Sequence, residues 1–133
     1  MSIKLLPLLK ATFGFDDFRG MQAAVLDRVM AGKNTLAVMP TGAGKSLTYQ
    51  LPSISLPGTV IVISPLIALM HDQLRGAEGV GIRAATLTSV DVNRAETVTR
   101  LLAGELDLLY VAPVRASQSG FWDLIGQVPL SLF

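Results

Sequence analysis

A chain of 133 residues, half of them hydrophobic and only 16% charged, can bury one core and is too apolar for disorder. Its net charge of +1 supplies no global basic field, so any contact with nucleic acid has to come from local geometry. With no cysteine there is neither a disulfide framework nor a cysteine-based zinc site, and a cytoplasmic protein fits.

Residues Ile3 to Thr12 carry apolar and basic side chains at helical spacing and predict a short helix ending near Phe13-Gly14. A loop from Phe15 leads into a helix over about Gly20 to Met30, with Met21, Ala24, Val25 and Val29 on one side and Gly32 at its end. Asn34 to Met39 predicts the first strand. A helix follows from Lys45 to about Ser53, then a turn at Pro57-Gly58. Thr59 to Ile63 is β-branched throughout and apolar toward both faces, as a central parallel strand is. Leu66 to Arg75 predicts a helix, Arg83 to Leu87 a weaker strand, and Asp91 caps a helix running to about Ala103. Leu106 to Val111 is a further strand, Phe121 to about Gly126 a short helix, and Leu130 begins a last strand expected beside the one at Asn34 to Met39.

From Ser46 to Met70 no residue is charged, which imitates a membrane helix. Pro52, Pro57, Gly58 and Pro65 interrupt the run, so a buried helix–strand–helix passage explains it better. The opening residues lack a signal-peptide layout, because Pro7 and Lys10 break the apolar region early. Strands alternating with helices across short connections predict an α/β fold, a parallel sheet with helices on both faces. Ligands of such sheets sit at the carboxyl ends of the strands. The loops at Gly42, Ser64-Pro65, Thr86 to Ser89 and Ala112-Pro113 all follow strands and should share one rim.

The stretch with the clearest chemistry is Met39-Pro40-Thr41-Gly42-Ala43-Gly44-Lys45-Ser46. Strand, glycine turn, Gly-Lys-Ser and helix succeed one another as in a phosphate-binding P-loop. Gly42 and Gly44 let successive N–H groups turn inward onto anionic oxygens, and the helix N-terminus adds partial positive charge. Lys45 can reach the β- and γ-phosphates, and the Ser46 hydroxyl can ligate Mg²⁺. Thr41 and Ala43 complete the loop. Met39 stands where the standard pattern has glycine, a variant that resembles helicases and translocases. The competing reading is a glycine turn beside a surface lysine and serine.

Four segments together resemble the first motor domain of the RecQ family of DNA helicases, within superfamily 2. Phe13 to Gln22 resembles its adenine-reading motif, Met39 to Gln50 its Walker A motif, Ser64 to Gln73 ("SPLIALMHDQ") its motif Ia, and Leu109 to Pro113 the next family block. The resemblance implies a P-loop NTPase, RecA-like fold that stops before the Walker B motif. It implies adenine-reading helices over 1–33 and a P-loop core over 34–133. ATP and Mg²⁺ are the implied cofactors, and single-stranded or partly duplex DNA the partner, with no membrane contact. Phe15 matches the ring that stacks on adenine, Gln22 the amide that pairs with the base edge, and Arg19 the arginine of the same motif. For Phe15, stacking and core packing both stay open; Phe18 reads as packing. Ser64, Pro65 and Leu66 match a phosphate grip at a helix N-terminus, although a simple N-cap gives the same residues. Thr88 and Ser89 match a further phosphate contact, as does Arg115. His71 reads as a surface helix residue, and Asp72 and Gln73 match motif Ia.

Two departures qualify the resemblance. The family's Ala-Pro-Glu-Arg appears as Ala112-Pro113-Val114-Arg115, without the carboxylate, and the sequence given ends at Phe133, ahead of the family's Asp-Glu-Ala-His. The expectation is therefore the N-terminal portion of a motor that unwinds duplex DNA, 3′ to 5′ by family analogy. The alternatives are a nucleotide- or nucleic-acid-binding fragment without turnover and a superfamily 2 motor acting on RNA.

Overall fold

The computed structural model describes residues 2–40, 44–88 and 94–133. After a 3₁₀ turn at Ser2–Leu5 come helices α1 (Leu6–Phe13), α2 (Gln22–Met30) and α3 (Leu47–Ser55), then strand β1 (Thr59–Ile63) and helix α4 (Ile67–Gly79). Strand β2 (Ala84–Leu87), helix α5 (Arg94–Leu102), strand β3 (Leu108–Val111), short helices α6 (Pro113–Ala116) and α7 (Ser119–Ile125) and strand β4 (Leu130–Leu132) complete the chain. The uncharged run is thus a helix, a strand and the start of another helix. Among the described residues no helix is long and apolar enough to cross a membrane.

The four strands form one parallel sheet in the order β2-β3-β1-β4. Side chains alternate across it, as the two-residue period of a strand requires. Val60, Ala84, Leu108 and Tyr110 face α4, where they meet Met70 and Ala77, with Tyr49 and Ile54 of α3 at the border. Ile61, Ala85, Leu87, Leu109 and Val111 face the other way, against Leu101 of α5, Ala116 of α6, and Phe121 and Ile125 of α7. A third cluster of Leu5, Leu9, Leu26, Leu47 and Leu51 fastens α1 and α2 to α3. Arg83 and Asp107 clip the amino ends of β2 and β3 together, with Nη2 and Oδ1 2.9 Å apart.

Two expectations are corrected. Asn34 to Met39 has strand-forming residues but no place in the sheet. Leu36 and Val38 are 91% and 83% exposed. The strand from Leu130 pairs with β1 instead of this segment. Thr35 and Ala37 face Leu132 and Phe133 across a cleft of about 300 Å³. A strand needs a ladder partner as well as propensity, and here the gap denies it one. Gly58 makes the β1–β4 pairing possible. Its φ is +93°, and a Cβ there would lie 2.7 Å from the Pro129 carbonyl oxygen.

Other boundaries move less. The helix after Leu66 continues through Gly76 to Gly79 instead of ending near Arg75. Val80 and Ala77, packed under the sheet, hold the extra turn. The expected cap Asp91 and the nucleic-acid candidate Ser89 lie outside the described residues.

Both tyrosines of the chain meet between α3 and β3. Their rings make an edge-to-face contact with centroids 6.1 Å apart, and their hydroxyls lie 3.5 Å apart. Burial, reinforced by the contact with Tyr110, holds the Tyr49 hydroxyl far above the ordinary tyrosine range. Burial also raises Tyr110. In the unfolded chain both ionise near pH 10. Their contribution to stability is therefore complete below that pH and lost as the pH climbs above it. An ultraviolet pH titration should show tyrosinate appearing only together with loss of helical circular dichroism. A smooth titration near pH 10 in a chain that stays folded would contradict the buried pair.

Candidate functional site

The carboxyl ends of the parallel strands form one rim. Ser64 follows β1 and its N–H donates to the Val111 carbonyl at 3.1 Å, while the Ala112 N–H donates to the Leu87 carbonyl at 3.4 Å. Ser64-Pro65, Thr88 and Ala112-Pro113 therefore stand side by side, as the alternation of elements predicts. The loop residues Thr41, Gly42 and Ala43 lie outside the described residues. Gly44, Lys45 and Ser46 lead directly into α3.

At this entry lies a cavity of about 480 Å³ lined by Phe13, Phe15, Asp17, Arg19, Gln22, Gly44, Ser46, Leu47 and Gln50. It joins two regions far apart in sequence. The loop between α1 and α2 brings Phe15 and Arg19; the start of α2 brings Gln22; the start of α3 brings Ser46, Leu47 and Gln50. The leucine cluster between α1, α2 and α3 sets their separation.

Gln22 is the hinge pin of this arrangement. It is 5% exposed. Its Oε1 accepts from the Arg19 N–H at 3.0 Å, and its Nε2 donates to the Gly44 carbonyl at 3.1 Å. One side chain thus ties the loop before α2 to the residue before Lys45. Gly44 has φ +76°, and a Cβ there would fall 2.3 Å from Gln22 Nε2, so glycine is what allows the amide this close. Phe15 is 56% exposed and lines the cavity. Core packing does not account for it, whereas Phe18 packs against the leucine cluster as expected.

Lys45 is exposed, and its carbonyl accepts from the Thr48 N–H at 3.0 Å. An aromatic ring, two carboxamides and an arginine around one cavity suit a planar base with donors and acceptors on its edge. The helix N-terminus beside it suits anionic groups. The residues present therefore fit an aromatic nucleotide. Among the described residues no cluster of three or more acidic, histidine or cysteine side chains could hold a metal.

The rim candidates differ in access. Pro65 and Leu66 are exposed, whereas Ser64 is buried. The residue at the α4 N-cap is Leu66, with no side-chain cap bond, so Ser64 is not the simple cap that its position suggested. Thr88 is fully buried, and its carbonyl accepts from Arg94 Nη2 at 3.4 Å. Arg115 lies on α6, its Nη1 donating to Gln118 Oε1 at 2.6 Å. On α4, Asp72 pairs with Arg75. Sequence reasoning missed Phe13, Asp17, Leu47 and Gln50 as lining residues. The signal for two of them was available, since Leu47 and Gln50 are three apart on the helix that Ser46 opens.

The DEAD/DEAH box helicase model matches residues 19–127. The chain is 40% identical over 128 residues to "ATP-dependent DNA helicase RecQ" of Pasteurella multocida (strain Pm70), covering 95% of this chain and 20% of that one. It is 39% identical over 128 residues to the protein of the same name from Bacillus subtilis (strain 168), covering 94% of this chain and 22% of the relative. The chain thus spans about a fifth of the length of these relatives. Among solved structures, a hypothetical ATP-dependent RNA helicase from Sulfolobus tokodaii superposes with a TM-score of 0.69 at 20% identity, over 92% of this chain and 37% of that one. At that identity the likeness speaks to the fold alone, a parallel sheet flanked by helices. Most of the chain matches one family model, and the similarity to RecQ helicases runs nearly end to end, so the chain belongs to the DEAD/DEAH box helicase family.

Proposed function

We propose that residues 1–133 are the nucleotide-binding portion of an ATP-dependent DNA helicase of RecQ type. Residues 1–33 read the base and residues 34–133 form the P-loop core. The observation that carries the reading is the Gln22 amide, bonded at once to the Arg19 N–H and the Gly44 carbonyl at the mouth of the cavity. A base seated against Phe15 and Gln22 has its phosphates directed along Gly44 toward Lys45 and the α3 N-terminus. Lys45 neutralises terminal phosphate charge, and the sequence motif adds Thr41, Gly42 and Ala43 as further candidate phosphate contacts. Ser46 would offer its hydroxyl to Mg²⁺, which would supply charge neutralisation at the phosphates. When bound, ATP supplies the free energy for movement along the nucleic acid. This chain's residues hold it, orient it and report its presence through Gln22.

The partner in this reading is DNA, single-stranded or partly duplex. The candidate phosphate contacts are Ser64, Pro65, Leu66, Thr88, Ser89 and Arg115; among the described ones Pro65 and Leu66 are exposed and Arg115 half-buried, whereas the buried Ser64 and Thr88 need local opening to reach a phosphate. Such contacts carry no base information, which suits a motor that steps along any sequence. The relatives' names support DNA over RNA.

Equilibrium binding of fluorescent ATP and GTP analogues tests the proposal. Lys45→Ala should weaken ATP binding about tenfold or more, as expected for a lost hydrogen bond to a charged group. Gln22→Ala should bring the affinities for ATP and GTP together. ATP binding indifferent to Lys45, or a base preference unchanged without Gln22, would refute the assignment.

A further inference from the structure

We infer that Asp17 selects the base of the nucleotide, its carboxylate accepting from the exocyclic amine at purine C6; this rests on the nucleotide reading of the cavity. Asp17 lies in the loop between α1 and α2, two residues after Phe15 and two before Arg19, and all three line the cavity. The loop is fixed at both ends. The Gly14 N–H donates to the Lys10 carbonyl at 3.0 Å, where α1 ends, and the Gln22 N–H donates to the Arg19 carbonyl at 3.1 Å, where α2 begins. Phe18 anchors the middle of the loop in the leucine cluster, and its N–H donates to Asp17 Oδ1 at 2.8 Å. The neighbouring carboxylate is placed differently. Asp16 pairs with Lys10, Oδ1 to Nζ 3.7 Å, and does not line the cavity. Among the described residues no cation pairs with Asp17.

A negative charge in a site for a polyphosphate repels the phosphates, so it has to serve another part of the ligand. Asp17 shares its loop with Phe15, on which the base is seated, whereas Ser46 and Leu47 stand at the opening of α3. An ionised carboxylate accepts hydrogen bonds and never donates them. It favours a base edge that offers an N–H and disfavours one that presents an oxygen. At C6 adenine carries an amine and guanine a carbonyl oxygen. The Gln22 amide can both donate and accept, and its Oε1 and one N–H are already committed to the backbone. Asp17 adds the one-sided choice, with the strength of a hydrogen bond to a charged group. Gln22 in turn secures the Arg19 end of the loop, so both residues bear on the same selectivity.

Two variants test this, Asp17→Asn and Asp16→Asn, each measured for affinity to ATP, GTP and purine riboside triphosphate, which lacks the C6 amine, and for thermal midpoint. Both remove one negative charge from the same loop, and Asp17→Asn keeps an acceptor for the Phe18 N–H. Asp17 is exposed, so the midpoint should not move. Asp17→Asn should lower the ratio of ATP to GTP affinity about tenfold, the scale of a hydrogen bond to a charged group. It should also narrow the gap between ATP and purine riboside triphosphate. Asp16→Asn should do neither. Equal changes in the two variants would make the effect one of general charge and overturn the inference. A lowered ratio with the purine riboside gap intact would overturn the contact to the amine. Where Lys45→Ala weakens ATP but Asp17→Asn leaves the ratio within twofold of the parent, the inference is overturned and the nucleotide reading survives. No ATP binding by the parent chain overturns both.

Discussion

Gly44→Ala is expected to cost the chain most of its nucleotide affinity while leaving it folded. Two effects add at this position. An alanine at φ +76° occupies the left-handed region, which costs an L-residue about 1–2 kcal/mol. Its Cβ would also lie 2.3 Å from Gln22 Nε2 and 3.4 Å from Arg19 Nη2. The nearest atom is the far end of a flexible side chain, so the amide yields and the backbone stays. Yielding breaks the bond to the Gly44 carbonyl and strains the bond to the Arg19 N–H, each worth about 0.5–1.5 kcal/mol. The displaced amide then intrudes on the cavity it is meant to serve. ATP affinity should fall by roughly tenfold to a hundredfold, equivalent to about 1.4–2.8 kcal/mol, and selectivity against GTP should fall with it. A double-mutant cycle separates the two effects. In a Gln22→Ala background the collision vanishes, and only the left-handed penalty remains for Gly44→Ala. Equal penalties in both backgrounds would mean that Gln22 does not couple the base site to the P-loop.

That coupling marks the boundary of what the sequence made legible. Thr59 to Ile63 was readable as a central strand because five consecutive β-branched residues admit few other homes. The rim was readable because parallel strands must all end on the same side. Gln22 was readable only as a motif position. Its contact spans 22 residues of sequence, and no local pattern announces that Gly44 is its partner. Gln50 was hidden for the opposite reason: a glutamine in a helix ordinarily reads as solvated, and only the packed structure reveals it as buried beside the cavity. The segment Asn34 to Met39 misled because propensity is local and pairing is not. Leu36 and Val38 have the character of strand residues, yet the sheet places β4 next to β1 and leaves them exposed. Strand order is a property of the whole sheet, decided by which edges meet, and the sequence of a three-residue strand such as Leu130–Leu132 holds little information about it.

Leu51→Ala carries the largest expected loss of stability, and its position makes the loss informative. Leu51 is fully buried on α3, inside the cluster with Leu5, Leu9, Leu26 and Leu47. Truncating a buried leucine to alanine costs about 2–5 kcal/mol, from lost transfer energy and the cavity left behind. That is a large share of the roughly 5–15 kcal/mol that holds a domain together. The cluster contains almost none of the sheet. It joins α1 and α2 to α3, so its weakening should release the N-terminal helices before the strands, as partial unfolding in separable units allows. Hydrogen exchange should then accelerate at Val25 and Leu26 of α2 well before Leu109 and Tyr110 of β3. Nucleotide affinity should drop as well, because Phe13, Phe15, Arg19 and Gln22 leave with those helices. Leu109→Ala is the control. Leu109 is equally buried but belongs to the cluster on the opposite face, with Ile61, Leu101 and Phe121. It should cost similar stability in urea, with exchange accelerating throughout the sheet and with ATP-over-GTP selectivity intact in the folded fraction. Matching exchange patterns for the two variants would show that the helices and the sheet unfold as one unit. The base-reading helices would then owe their placement to the whole core, and Leu51 would hold no special position between fold and site.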